Sequence, residues 1–299
     1  MVVHGRNRIG SLEFPSYARW VGVDLAVARR KLGHLRSILA SVPDAVVGFS
    51  GGVDSSLLAF VARDVIGDAL DAVIADSASL PRRELTQAIT FARRHDIRFE
   101  VVRTNEMSDP RYRSNGADRC AFCKEALIDA VLSHPSLRDR TLVLGVNVDD
   151  LGDHRPGQRA AQRRGARFPL AEAELTKAEV RALARELHME NWNKPAAACL
   201  ASRLAYGVPV SEEALARIEQ AEEALLALGL AGDVRVRDQG QDLARIEVAH
   251  DRFQDVMTHR EEIVAAMHDA GFRYVTLDLE GFRSGSHNLV IPLETLRVS

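Results

Sequence analysis

Two features of this chain have residue types and spacings that could do chemistry: a serine- and glycine-rich turn, and three cysteines. The turn is Ser50-Gly51-Gly52-Val53-Asp54-Ser55, between the apolar run Val46-Val47-Gly48-Phe49 and the stretch Ser56-Leu57-Leu58-Ala59-Phe60-Val61-Ala62. A buried strand that passes through paired glycines into a helix is suited to an anion. The glycines let the backbone come close, while free N–H groups at the helix start and the serine hydroxyls donate hydrogen bonds. Asp54 would repel a phosphate unless a cation sat between them, so Mg²⁺ is expected there. The turn is not a Walker loop, because no lysine follows Gly52, and not a dinucleotide fingerprint, because Ser55 stands where the third glycine would be.

The cysteines fall into a pair and a single residue. Cys120-Ala121-Phe122-Cys123-Lys124 is a CxxC, the spacing that lets two thiolates face one metal or one cluster. Cys199 is the only other cysteine, so a four-cysteine zinc site within one chain is impossible, and neither His154 nor His188 lies at an adjacent ligand spacing. Three cysteines could hold a [4Fe–4S] cluster with one iron open to a non-protein ligand such as hydrosulfide; ordinary or redox-active thiols are the alternative. Cys199 is flanked by small residues, Ala196-Ala197-Ala198 before it and Ala201-Ser202 shortly after. Lys194 and Arg203 would favour its thiolate, as a nucleophile or an iron ligand requires, whereas a buried thiol would behave as a small hydrophobe.

The elements that must position these groups alternate. Strand-like segments at 45–49, 69–75, 98–102 and 141–146 are separated by helical stretches at 56–65, 82–95 and 123–132, with a further helix at 25–39 in front. Such alternation implies an α/β fold with a parallel sheet and ligands at the carboxyl ends of its strands. Asp76 and Ser77 then lie where they could contact adenosine, and the loop from Gly145 through Asn147 to Asp150 where it could hold metal or substrate. After Pro209 the pattern changes to a capped amphipathic helix at 211–228, strands at 234–237 and 243–248, a helix at 261–269 and a strand at 274–279. The expected organisation is an extension over 1–24, an ATP-binding domain over 25–209, and a smaller C-terminal α+β domain over 210–299.

The 299 residues carry a formal net charge of −3. Nothing global in that balance points to nucleic acid, and no apolar run approaches the roughly 20 residues needed to span a bilayer. With no signal-peptide core at the start and an odd number of cysteines, a cytoplasmic protein without a disulfide framework is expected.

The Ser50–Ser55 turn resembles the pyrophosphate loop of the ATP pyrophosphatases. Read together with Arg119-Cys120-Ala121-Phe122-Cys123-Lys124, with residues 147–157 and with Lys194-Pro195-Ala196-Ala197-Ala198-Cys199-Leu200-Ala201-Ser202-Arg203, the chain resembles one branch of that superfamily, the LarE-type ATP-dependent sulfur transferases. These enzymes insert sulfur while the nickel-pincer nucleotide of lactate racemase is made. The likeness continues through Val234-Arg235-Val236-Arg237, residues 244–248 and residues 277–286, and covers nearly everything after residue 40.

The resemblance implies a Rossmann-like α/β/α sandwich, ATP and Mg²⁺ as cofactors, and a small nucleotide substrate, a pyridinium biscarboxylate mononucleotide. A carboxylate would be adenylated and then attacked by sulfur. Cys199 would either give up its own sulfur or join Cys120 and Cys123 in holding a [4Fe–4S] cluster, the version favoured by the presence of all three. Catalytic roles would fall to Cys199, Asp54, Arg235 and Arg237. Nucleotide binding would fall to Ser50, Gly51, Gly52, Val53, Asp54, Ser55, Asp76, Ser77, Asn147, Asp150 and Arg283. Glu223, Glu247 and Asp255 match acidic residues around a second metal near the active cysteine. Phe282 departs from the family, which would have a tyrosine there. A homo-oligomer, on the pattern of a hexamer, is also implied. Competing readings are a tRNA thiolase, an amide-forming synthetase of the NAD or GMP type, and a non-catalytic nucleotide or iron–sulfur carrier.

Overall fold

The structure is a computed structural model that describes residues 23–42, 44–151, 156–195, 199–230 and 232–283. Its elements in chain order are α1 (Leu25–Ala40), β1 (Ala45–Gly48), α2 (Val53–Ile66), β2 (Asp71–Asp76), α3 (Arg82–Arg94), β3 (Phe99–Arg103), α4 (Pro110–Arg113), α5 (Arg119–Ser133) and β4 (Thr141–Leu144). They continue with α6 (Val148–Leu151), α7 (Pro156–Arg163), α8 (Pro169–Glu172), α9 (Lys177–Glu186), α10 (Glu212–Ala227), β5 (Arg235–Asp238), β6 (Leu243–Glu247), α11 (Phe253–Thr258), α12 (Arg260–Asp269) and β7 (Tyr274–Leu277).

The first four strands form a parallel sheet in the order β3-β2-β1-β4. Their apolar runs alternate between two cores, because successive side chains of a strand point to opposite faces. Ala45 and Val47 face a core built with α1, α2, α3 and α9, whereas Val46, Val73, Leu142 and Leu144 face one built with Leu127, Ile128 and Val131 of α5. Burial on both faces is the reason these strands read as unbroken apolar runs. Because β1 is flanked by β2 on one side and β4 on the other, the crevice at its carboxyl end is a topological switch point.

The C-terminal sheet has the order β5-β6-β7, with β5 antiparallel and β7 parallel to β6. Its helix α10 starts where the Ser211 hydroxyl accepts from the N–H of Ala214 at 3.1 Å. The core under this sheet reaches back along the chain. Tyr112 of α4, 1 % exposed, packs with Leu204, Val210 and Leu215 rather than with the parallel sheet. The stitch is polar as well: Asn115 Nδ2 donates to the carbonyls of Ala205 and Val208, both at 2.8 Å, and the N–H of Val210 donates to the Arg113 carbonyl at 2.8 Å. Asn115 has a φ of +55°, a left-handed conformation that asparagine tolerates better than most residues.

Most expected elements recur with their ends moved by a residue or two. The informative differences are two. The expected helix at 123–132 instead begins at Arg119, which puts Cys120 and Cys123 one turn apart on one face of α5. Helix α9, introduced by a Thr176–Glu179 capping box, carries a residue of the nucleotide site that the sequence reading passed over.

Candidate active site

The pyrophosphate loop is built at the carboxyl end of β1. The Ser50 and Ser55 hydroxyls lie 3.1 Å apart, the N–H of Ser50 donates to Ser55 Oγ at 3.3 Å, and Ser55 Oγ donates to the Gly52 carbonyl at 3.1 Å. Gly51, at φ +71°, passes so close to α3 that a Cβ would stand 3.0 Å from that of Ala88. Gly145, just after β4, is tighter still: a Cβ there would be 2.7 Å from the Ser55 nitrogen. The start of α2 and the end of β4 therefore approach each other through a position that only glycine fits.

That approach brings two expected residues together. Asn147 Nδ2 donates to Asp54 Oδ1 at 3.0 Å, and the N–H of Asn147 donates to Asp150 Oδ2 at 3.1 Å. The other Asp54 oxygen accepts from Nζ of Lys177, the first residue of α9. Lys177 was not among the expected residues, although the Thr176-x-x-Glu179 box that sets its helix is readable from sequence. Asn191 was missed too; its Nδ2 donates to Ser56 Oγ at 2.7 Å and to the Gly51 carbonyl at 3.2 Å.

Asp76 and Ser77 sit at the end of β2, as expected. Asp76 pairs with Arg82 at 2.5 Å, and the Ser77 hydroxyl bonds Glu106, a carboxylate only 2 % exposed. The same loop carries Ser79, whose hydroxyl bonds the Tyr112 hydroxyl and whose carbonyl accepts from the N–H of Leu200 at 2.8 Å. The residue after Cys199 is thus seated on the adenosine-side loop. From the other end of its segment, Lys194 pairs with Glu84 at 2.6 Å and reaches the Gly51 carbonyl at 3.4 Å.

Cys199 is half-buried and opposite α5. Burial and then the neighbouring charge at Cys199 push the Cys123 thiol up to about 12. Burial and then Cys199 also raise the Tyr112 phenol above its usual value. The Cys199 carbonyl accepts from Arg203 Nη1 at 3.1 Å, and Arg203 is in turn gripped by both oxygens of Glu222, at 2.9 and 3.1 Å. Arg203 is 3 % exposed, so the pair is internal and fixes the loop rather than decorating it.

A cleft of about 300 Å³ opens between the two sheets' units, lined among others by Lys194, Leu200, Arg203, Glu223 and Arg235. Arg235 stacks over Phe282 at 5.1 Å. Burial, and then Arg203, pull its guanidinium below the usual value. Arg237 behaves differently. It donates through Nε and Nη2 to Glu247, at 3.0 and 2.8 Å, and through Nη1 to the Ser202 carbonyl at 2.8 Å. Its fork ties β5 to the Cys199 loop.

The three acidic residues expected around a metal each have a separate setting. Glu247, fully buried, is held by Arg237 and by Arg245 at 3.1 Å; Asp255 pairs with Arg252 at 2.8 Å; Glu223 lines the cleft. Among the described residues no group of three or more His, Cys, Asp or Glu side chains is arranged to hold a single metal ion. Arg283 pairs with Glu280 at 2.5 Å. Residues 152–155, 196–198 and 284–286 of the matched stretches lie outside the described residues.

A parallel sheet with this Ser-Gly-Gly loop at its switch point defines an ATP-using enzyme of the pyrophosphate-loop class, and the NAD synthase family model matches residues 34–120. The chain is 43% identical over 270 residues to an uncharacterized protein of Synechocystis, covering 87% of this chain and 98% of that one. It is 35% identical over 266 residues to the pyridinium-3,5-bisthiocarboxylic acid mononucleotide synthase of Lactiplantibacillus plantarum, covering 88% of this chain and 96% of that one. An uncharacterized protein of Methanocaldococcus jannaschii is 28% identical over 240 residues, 80% of this chain and 90% of its own length. The chain belongs to the LarE-type family of ATP-dependent sulfur transferases.

Proposed function

We propose that the enzyme adenylates a carboxylate of a pyridinium biscarboxylate mononucleotide, releasing pyrophosphate, and replaces the activated oxygen with sulfur to give a thiocarboxylate. One observation carries this reading: a single segment touches both halves of the chemistry. Its Lys194 reaches the Gly51 carbonyl of the pyrophosphate loop, and its Cys199 precedes a residue bonded to Ser79 beside the adenosine loop.

In the first step the substrate carboxylate attacks the α-phosphorus of ATP and pyrophosphate leaves. Backbone N–H groups and hydroxyls of the Ser50–Ser55 loop would hold the departing pyrophosphate. Asp54, with Asp150 nearby, would hold Mg²⁺; these are oxygen donors of the type a hard cation takes, and the Lys177 ammonium already marks a cation position on Asp54. In the second step sulfur attacks the acyl carbon and AMP leaves with the bonding pair. Arg235, which lines the cleft, would receive a phosphate or carboxylate of the substrate.

The donor set also suits a cluster. Cys120, Cys123 and Cys199 are near enough to perturb one another's environment, yet they are not gathered as ligands of one ion. Thiolates of a [4Fe–4S] cluster each bind a different iron and so stand further apart. Bound there, such a cluster would supply an open iron able to carry sulfide; without it, Cys199 itself is the sulfur source. Free thiols and ATP use favour the reducing cytoplasm, and family likeness favours an oligomer. Among the described residues no helix is long and apolar enough to cross a membrane.

The test is incubation with ATP, Mg²⁺, a sulfur source and pyridinium biscarboxylate mononucleotide. Pyrophosphate release with a thiocarboxylate product is expected. Pyrophosphate release with a carboxamide, given ammonia, would replace this reading by an amide-forming synthetase.

A further inference from the structure

Arg119 is a buried cation that the chemistry above does not use. It is the first residue of α5, immediately before Cys120, and is 5 % exposed. A positive charge at a helix N-terminus opposes the helix dipole, and a buried guanidinium ordinarily requires a carboxylate. Among the described residues Arg119 has no carboxylate partner. Nη1 donates to Asn115 Oδ1 and, at 2.8 Å, to the Ala201 carbonyl, both neutral acceptors. Departures from local rules of this kind mark functional positions.

The guanidinium bridges two cysteine-bearing segments. The same guanidinium nitrogen bonds the backbone two residues beyond Cys199, while its Cα sits next to Cys120. We propose that Arg119 is the positioning residue of the three-thiol site: it pins the Cys199 loop to the turn carrying Cys120 and Cys123 and supplies the buried positive charge that anionic sulfur requires there. This deepens the sulfur-transfer reading and rests on it for the identity of the sulfur.

The test separates position from charge. Position is read in iron-free protein on a Cys120→Ser background, where dibromobimane bridges Cys123 and Cys199 only when both are in reach. Crosslinking is divided by the rate with monobromobimane to remove differences in thiol reactivity. Arg119→Met is expected to lose at least about fivefold of this ratio and Arg119→Lys at least about twofold, because an ammonium cannot hold Asn115 and Ala201 with one planar group. Charge is read as the reduction potential of the iron-reconstituted protein with all three cysteines, which should fall in Arg119→Met and return toward wild type in Arg119→Lys. Circular dichroism establishes that each variant is folded; if Arg119→Met is not, Arg119→Lys carries the test. A folded variant with the wild-type crosslinking ratio would overturn the proposal. If wild-type protein takes up no iron, the cluster reading fails and crosslinking alone decides the role of Arg119.

Discussion

Lys177 holds Asp54: its ammonium pairs with one carboxylate oxygen while Asn147 donates to the other at 3.0 Å. The contact joins α9 to the first turn of α2 across the nucleotide site. In Lys177→Met the carboxylate loses its cation, at a cost of about 1 kcal/mol for so partly exposed a pair. Mg²⁺ should then raise the melting temperature more in the variant than in wild type. An equal response in both would remove the cation site from Asp54. Asp54→Asn should abolish pyrophosphate release.

Gly145→Ala inserts a methyl 2.7 Å from the Ser55 nitrogen, where backbone and not a flexible side chain must move. A loss of about 1–3 kcal/mol in urea unfolding is expected, with impaired pyrophosphate release. A stable variant of normal activity would show that α2 and β4 do not constrain the loop.

Glu222 grips Arg203, which holds the Cys199 carbonyl. Glu222→Ala leaves a buried guanidinium without its carboxylate, a loss of about 3 kcal/mol. Sulfur transfer should fall further than adenylation, because the pyrophosphate loop is untouched. Equal losses in both partial reactions would argue against a role confined to the Cys199 loop.

Cys199→Ser should keep pyrophosphate release near the wild-type rate and form no thiocarboxylate. Mass spectrometry of wild-type protein after turnover identifies the sulfur source: loss of one H₂S from Cys199 means the residue is consumed. Unchanged mass through many turnovers, with activity that follows iron content, supports the cluster.

Glu179 gives an acid-side prediction. Burial alone would raise its carboxyl, but the Thr176 N–H, Lys31 and the Thr176 hydroxyl together hold it below its ordinary 4.5. A depressed folded value means that this stabilisation is complete above 4.5 and lost as pH falls through the lower folded value. Glu179→Gln should therefore flatten the acid limb of a plot of urea midpoint against pH. An unchanged limb would show that other carboxylates set it.

The parallel sheet and the pyrophosphate loop were legible because both depend on local sequence. Apolar runs such as 45–49 report burial on two faces, and Gly51 and Gly52 report backbone geometry directly. The partners of the loop were not legible. Lys177 lies 123 residues from Asp54, and only the fold brings them together. Arg235 and Arg237 read alike and share one face of β5, yet one lines the cleft and the other bonds Glu247 and the Ser202 carbonyl, a difference set by the partners that the fold brings to each end of the strand. Arg119 and Tyr112 were given no role for the same reason: Ala201 lies 82 residues beyond Arg119, and the core that takes Tyr112 is built from residues 200 onward.

Tyr112 and Arg113 also limit how the molecule can be taken apart. A fragment beginning at 210 would lack Tyr112, the largest fully buried side chain of its core, and the Arg113 carbonyl that the N–H of Val210 binds. Cutting there should give two pieces that are insoluble separately and recover structure only when expressed together, with residues 110–119 acting as the shared strut. The joint is interlocked rather than modular: the loop after β2 and the loop after Cys199 share Ser79 as a common anchor, held by Tyr112 on one side and Leu200 on the other.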